Sequence, residues 1–301
     1  FHNCHMPYIG MKERKDACAR GETCRPQGPG EPPYSDDELD YYACLNQLDN
    51  AVGIILDAVK ESGYYDNTMV WFTADNGPEQ NCPPSGVCKA AKTHPHRPIE
   101  GPGSAGPLRG RKRDIYEGGH RVAGILSYPA IIRDNRESWQ TVVTTDFLPT
   151  VMEMLGVERP PQQQSWAIDG RSILPLVRND TFRWKDSKEG DRSIGIGFSD
   201  PKLNIINGWG FRFGRWKYVE GSASCEEKAC RKAQLYDLEN DIGERHDLAD
   251  DYPDILADLQ IRFMEWHESV MRSREESKCR HVNDLALPKS VEALKARREL
   301  L

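Results

Sequence analysis

The run Thr68-Met69-Val70-Trp71-Phe72-Thr73, which stops abruptly in Asp75-Asn76-Gly77, constrains the fold of this chain more than any other segment. A short, β-rich apolar run of this kind predicts a strand buried on both faces, as in the parallel sheet of an α/β domain. The stop in Asp-Asn-Gly puts polar side chains at the strand's carboxyl end, where open α/β sheets build their ligand sites. A helix leads into it. Ser35 offers a capping hydroxyl, and Asp36, Asp37 and Glu38 lie over the positive end of the helix dipole. Leu39, Tyr42, Leu45, Leu48, Val52, Ile55, Leu56 and Val59 then recur at helical spacing until Gly63 closes the element.

The other segments extend this pattern. Residues 1–9 read as a strand end running into a loop, and the polar, Gly- and Pro-rich stretch 10–35 reads as a surface excursion. Residues 78–113 form a long loop dense in Gly, Pro, His and basic residues, a length that inside a compact domain is usually functional or mobile. A strand over 121–128 and a helix over 144–155 follow, the helix ending at Gly156. After about residue 180 the character changes. Antiparallel strands are predicted over 194–198 and 209–219, a short strand over 235–238, an amphipathic helix over 253–271, and a charged tail from Glu275. The fold class is therefore α/β, a mainly parallel sheet flanked by helices over 1–180. A smaller α+β subdomain, antiparallel sheet plus helix, is expected over 181–301.

Composition excludes several functions. The net charge of −7 disfavours general nucleic-acid binding, which needs a basic footprint. Apolar stretches such as 51–59 fall far short of the roughly 20 residues that span a bilayer, so no membrane span is expected. Nine cysteines point to an oxidising compartment. Cys18/Cys24, Cys82/Cys88 and Cys225/Cys230 each close a short loop, which suits local disulfides; the C-x₂-C spacing of a structural zinc site is missing. Cys4, Cys44 and Cys279 are left over, and Asn179-Asp180-Thr181 is a glycosylation sequon.

Four places carry chemistry. Asp75-Asn76 offers a carboxylate and an amide oxygen side by side, hard ligands suited to Ca²⁺ or Mg²⁺, although an Asx turn before Gly77 would explain the same residues. Lys112, within Arg109-Gly110-Arg111-Lys112-Arg113, can serve as a point charge for an anion; a solvated basic loop is the bland alternative. His5, before Met6-Pro7, can act as a general acid or anion donor, or simply be a structural histidine. His94 and His96 lie in the long loop. Cys24-Arg25-Pro26-Gln27 is a decoy for a Cys-x-Pro motif, with Gly28 where an arginine would be needed.

The order of these signals resembles the sulfatase family. Gln47 to Gly53, Asp66-Asn67-Thr68 and Trp71 to Gly77 look like its helix, strand and metal-binding Asp-Asn, and Leu108 to Lys112 with Tyr116-Glu117-Gly118-Gly119 looks like its lysine segment. Asp146 to Thr150, Leu235 to Leu238, Glu244 and Asp247-Leu248-Ala249 look like later landmarks. The resemblance implies an alkaline-phosphatase-like fold that hydrolyses sulfate esters of small molecules or glycans. It implies Ca²⁺ on Asp75 and Asn76, Lys112 and His5 on the sulfate, the long loop with His94 and His96 at the mouth of the substrate cleft, and secreted or lysosomal residence. In the family a cysteine in a Cys-x-Pro-Ser-Arg setting becomes the formylglycine nucleophile, and no Cys-x-Pro-x-Arg occurs here. With an opening Phe1-His2-Asn3-Cys4 that lacks any leader pattern, the nucleophile and further metal ligands are expected on a missing N-terminal segment of the same protein. Two alternatives stand beside this: a nucleophile-less relative that binds sulfated glycans, and a phosphodiesterase or phosphonate hydrolase of the same superfamily.

Overall fold

The computed structural model describes residues 10–24, 33–79, 103–159, 161, 168–184, 191–200, 205–221 and 232–277. The elements run α1 (Lys12–Ala19), α2 (Asp36–Glu61), a 3-10 turn (Tyr65–Asn67), β1 (Val70–Thr73), α3 (Glu117–His120) and β2 (Gly124–Ser127). A second 3-10 turn (Thr144–Asp146) leads into α4 (Phe147–Leu155), followed by α5 (Leu174–Arg178), β3 (Ser193–Asp200), β4 (Ile205–Phe213), β5 (Trp216–Glu220), β6 (Gln234–Asp237) and α6 (Pro253–Ser277). Helices and sheets are mixed, as an α/β chain requires. The chain divides into two compact units, one of Phe1–Ile54, Thr73–Ala123 and Arg192–Leu301, the other of Ile55–Phe72 and Gly124–Asp191.

Several expected elements form for the reasons the sequence gives. At the start of α2, Glu38 N–H donates to Ser35 Oγ at 3.3 Å and Ser35 N–H donates to the Glu38 carboxylate at 2.8 Å, a reciprocal cap. α4 ends on Gly156 in the left-handed conformation, at φ 61°. Other expectations need correction. The stretch read as a surface excursion contains α1, whose Ala17 and Cys18 are buried, held by the Cys18–Cys24 disulfide and by Lys15 Nζ on Asp40 at 2.9 Å. Its polar composition hid a helix that a crosslink and an ion pair stabilise. The single strand expected over 209–219 is two, β4 and β5, reversing at Gly214 (φ 57°). The switch from odd to even inward positions between Phe213 and Trp216 marks the turn. Cys44, counted as left over, is disulfide-bonded. The pairs Cys82/Cys88 and Cys225/Cys230 lie outside the described residues.

In the second unit, β1 and β2 form a two-stranded sheet. β1 is half-buried at Val70 and Trp71 but exposed at Phe72 and Thr73, so the expected burial on both faces is not met among the described residues. Ile173, Leu174, Val177 and Trp184 make this unit's core, with Trp71 and Leu126 packed on it. The buried Asp146 carboxylate accepts from Val143 N–H and Arg171 N–H, both at 2.9 Å, and so ties the start of α4 to the segment before α5.

In the first unit, β3-β4-β5-β6 make an antiparallel sheet, with Phe211 opposite Tyr218 and Lys217 opposite Tyr236. One face carries α6. Phe263, fully buried, packs its ring 5.5 Å from Trp209, 6.3 Å from Phe211 and 5.7 Å from Tyr218. A Cβ at position 195 would lie 2.1 Å from the Trp266 ring, so Gly195 lets helix and sheet approach.

The opposite face carries a buried charge cluster. Lys217, fully buried on β5, donates to Glu117 Oε1 at 2.9 Å and lies 2.8 Å from Glu244 Oε1. The second contact is an ion pair without an aligned hydrogen bond. Glu244 Oε2 accepts from the Glu117 backbone N–H at 2.6 Å, and His120 Nε2 stands 3.2 Å from the ammonium. Burial alone would raise the Glu117 pKa, but Lys217, then His120 and Arg212, hold it down to about 2. Burial wins at Glu244, whose pKa is raised. Burial and then the Lys217 charge push His120 down to about 4.

Two outcomes follow for stability. Lys217→Met should cost about 3–5 kcal/mol, because two carboxylates lose their shared cation inside the protein; urea unfolding measures it, and a loss under about 1 kcal/mol would contradict the role assigned to Lys217. For His120 the unfolded chain takes its proton near pH 6.5 and the folded chain only near 4. Stability should therefore fall as pH drops through that window, with a further loss from Glu117 as pH falls from about 4.5 to about 2. The raised pKa of Glu244 opposes this in part. His120→Asn should flatten the stability profile between pH 6.5 and 4 relative to wild type, and parallel profiles would contradict the assignment.

Candidate metal and anion site

The carboxyl end of β1 turns through Asp75, exposed, and Asn76, half-buried, into the buried Gly77. Gly77 N–H donates to Gly119 O at 2.9 Å, and a Cβ at position 77 would come within 1.8 Å of Gly118 O. Only glycine fits there, so the Asp-Asn turn is pressed against the backbone of α3. Gly118 N–H in turn donates to Arg109 O at 2.6 Å, and Lys112 N–H donates to Pro78 O at 3.0 Å. The segments 75–79, 109–114 and 117–119 thus share one backbone frame, anchored from below where Glu117 meets Lys217 and Glu244.

The basic run divides its labour. Arg109 stacks its guanidinium 3.7 Å from the centre of the Tyr116 ring and donates to Tyr236 Oη at 2.9 Å and Glu244 O at 3.0 Å. Arg111 is buried and donates to Glu79 O at 3.1 Å and Gly103 O at 2.8 Å. These two cations are structural, not the solvated loop that composition allows. Lys112 and Arg113 reach the Glu79 carboxylate: Lys112 Nζ lies 3.1 Å from Oε2, and Arg113 Nη1 donates to Oε1. Burial would raise the Glu79 pKa, but its bonds to Arg113 and Lys112 pull it below the usual carboxylate range.

Of the residues singled out in the sequence, Asp75, Asn76 and Lys112 come together on this frame. His5, His94 and His96 lie outside the described residues. Among the described residues no group of three or more His, Cys, Asp or Glu side chains could hold a metal. Asp75 and Asn76 supply two hard oxygen donors of the type Ca²⁺ prefers, while such an ion takes six to eight oxygens. The donor chemistry fits calcium, with the set incomplete. Glu79 and Arg113 escaped notice as a pair, although an acid placed just after Asp-Asn and facing a basic run was the available signal. Lys217 escaped too; its signal was a lysine among inward-facing aromatic residues of β5.

Known proteins resemble this chain along most of its length. A sulfatase of Formosa agariphila is 30% identical over 259 residues, covering 83% of this chain and 41% of its own length. Rat steryl-sulfatase is 32% identical over 137 residues, 46% of this chain and 21% of its own length. Dog arylsulfatase G is 28% identical over 227 residues, 68% and 37% respectively. The chain therefore spans about two-fifths or less of the length of these relatives. In fold it is similar to Ps i-CgsB in complex with k-i-k-neocarrahexaose, at a TM-score of 0.65 and 18% identity, over 99% of this chain and 52% of that one. It is also similar to BT4656 in complex with its substrate D-glucosamine-2-N,6-O-disulfate, at a TM-score of 0.51 and 19% identity, over 82% and 42%. A family model for the C-terminal part of N-sulphoglucosamine sulphohydrolase matches residues 110–269. A model for sulfatases matches residues 4–157, the span that holds Asp75, Asn76 and Lys112, and the chain belongs to the sulfatase family.

Proposed function

We propose that the full-length protein hydrolyses sulfate monoesters and that this chain supplies one side of its active site. The observation that carries this reading is the shared backbone frame of the Asp75-Asn76 turn and Lys112, in a chain of the sulfatase family. Lys112 would bind a sulfate oxygen as a fixed cation. His5 would hold the proton for the leaving oxygen, with His94 and His96 lining the approach. Asp75 and Asn76 would hold Ca²⁺, which when bound draws charge from the sulfate oxygens. The formylglycine nucleophile and the other calcium ligands would come from sequence beyond these residues. Fixed charges facing an anion that gains charge at its leaving oxygen lower the barrier most where water is excluded.

Other parts of the reading have their own support. Phe72 and Ile125 on the β1–β2 pair are 43% and 59% exposed, apolar surface that further strands of a mainly parallel sheet would cover. Residues 1–180 would then belong to the catalytic α/β domain and 181–301 to a smaller subdomain. The Cys18–Cys24 disulfide and the exposed Asn179 of the sequon, at the end of α5, favour the secretory pathway. No described helix is long and apolar enough to cross a membrane. Two fold relatives were solved with a neocarrahexaose and with a disulfated glucosamine, which favours a sulfated saccharide as substrate here.

The reading is tested on 4-nitrophenyl sulfate with the full-length protein. Lys112→Ala should lower turnover by about 10²–10³, the scale for removing one preorganised electrostatic contact. Turnover equal to wild type would overturn the role of Lys112. Asp75→Ala should abolish both activity and the calcium-dependent rise in melting temperature, and a calcium response that survives would remove Asp75 from the metal site.

A further inference from the structure

The contact between Glu79 and the basic loop has features that a surface ion pair lacks. Side chains of consecutive residues ordinarily diverge, yet Lys112 and Arg113 converge on one carboxylate, each taking a different oxygen. They converge with the backbone of Arg113 at φ 78°, a left-handed conformation that non-glycine residues rarely take. Such strain persists only where surrounding contacts impose it, and it concentrates at ligand clamps. Those contacts are present. Lys112 N–H is fixed to Pro78 O, Arg111 N–H to Asp114 Oδ2 at 2.8 Å, and Asp114 N–H to Arg111 O at 2.9 Å. Gly110, at φ 79°, opens the turn. Lys112 and Arg113 keep 20% and 35% of their side-chain surface in solvent, whereas Glu79 keeps 9%. The two cations can be reached from outside while the carboxylate that bridges them sits beneath.

Two oxygens of one anionic group, each on a different cation, is also how a sulfate would be gripped. A lysine supplies a compact point charge, and an arginine supplies directed N–H donors. We propose that Lys112 and Arg113 form a single sulfate seat and that Glu79 fills it when no substrate is bound, so that an entering sulfate must displace the Glu79 carboxylate. This rests on Lys112 being a sulfate contact, and it adds Arg113 as a second contact and Glu79 as an internal competitor. A resident carboxylate would weaken binding of a lone sulfate. It would favour esters whose remaining contacts offset the displacement.

The test measures binding of inorganic sulfate to the full-length protein by calorimetry, and the sulfate-dependent rise in melting temperature. Glu79→Gln should tighten sulfate binding about tenfold, since it removes the competing charge and keeps the shape. Adding Arg113→Ala to Glu79→Gln should reverse that gain, and adding Lys112→Ala should do the same. Unchanged or weaker binding in Glu79→Gln would overturn the proposal, as would a gain that survives Arg113→Ala. If Glu79→Gln does not fold, Glu79→Asp withdraws the carboxylate by one methylene and should give a smaller gain in the same direction; no gain there counts against the seat. Binding is read without turnover, so the two readings fail separately. A protein inactive on nitrophenyl sulfate that shows these shifts keeps the seat and loses the sulfatase reading, and an active protein without them does the opposite.

Discussion

The fully buried ammonium of Lys217 is the interaction on which the first unit's geometry depends. An isolated charge there would be costly to bury, and only two carboxylates brought from distant parts of the chain make it tolerable. Glu117 lies 100 residues before Lys217, and Glu244 accepts from a backbone N–H 127 residues away. The cluster therefore forms only once α3, β5 and the turn after β6 have met. One cation facing two acids leaves them unlike: burial would raise both, but Lys217 and then His120 hold the Glu117 pKa down, while burial wins at Glu244 and pushes it up.

From this point the order passes outward through backbone. Glu117 begins α3, and the two glycines after it approach closely enough to hold Gly77 on one side and Arg109 on the other. A second layer braces the same region. Arg109 lies over Tyr116, and the hydroxyl of Tyr116 donates to Gln234 Oε1 at 2.7 Å. Burial pushes Tyr236 up to about 12, so its hydroxyl stays neutral where it meets Arg109. The Asp75-Asn76 turn and Lys112 thus inherit their positions from an antiparallel sheet that contributes no residue to the proposed chemistry.

Much of this was legible in the sequence, and the reasons for what was not are physical. The cap at Ser35, the period of α2 and the stop at Asp75-Asn76 are local signals, and they reappear as a reciprocal cap, a helix over Asp36–Glu61 and a turn beyond β1. The hairpin at Gly214 leaves only a change of parity in an otherwise continuous aromatic run, so 209–219 reads as one strand. α1 was missed because a disulfide and the Lys15–Asp40 pair stabilise it, and neither appears in a helical period. Within the basic run no division of roles can be read from the order of residues. Arg109 and Arg111 became structural only because Tyr236, Glu244, Glu79 and Gly103 arrive from elsewhere in the chain. Long-range pairing of charges is what a linear reading has no means to see.

Two non-glycine residues carry positive φ among the described residues, Arg113 and Glu244. Each costs on the order of 1–3 kcal/mol to hold. Neither site could relax to glycine without losing the side chain that motivates the strain. At Glu244 that side chain reaches both Lys217 and the Glu117 backbone, and at Arg113 it reaches Glu79. The strain therefore marks both ends of one path. At its base a carboxylate is turned inward to neutralise a buried lysine; at its tip a guanidinium is turned toward an anion. Between them run the hydrogen-bonded backbone of the α3 glycines and the turn around Gly110, braced by the Asp114 carboxylate and by Arg109 on Glu244 O. A frame built mostly of backbone bonds, with its bracing side chains themselves bonded, transmits position with little slack, which is what a site that must hold two cations against one anion requires.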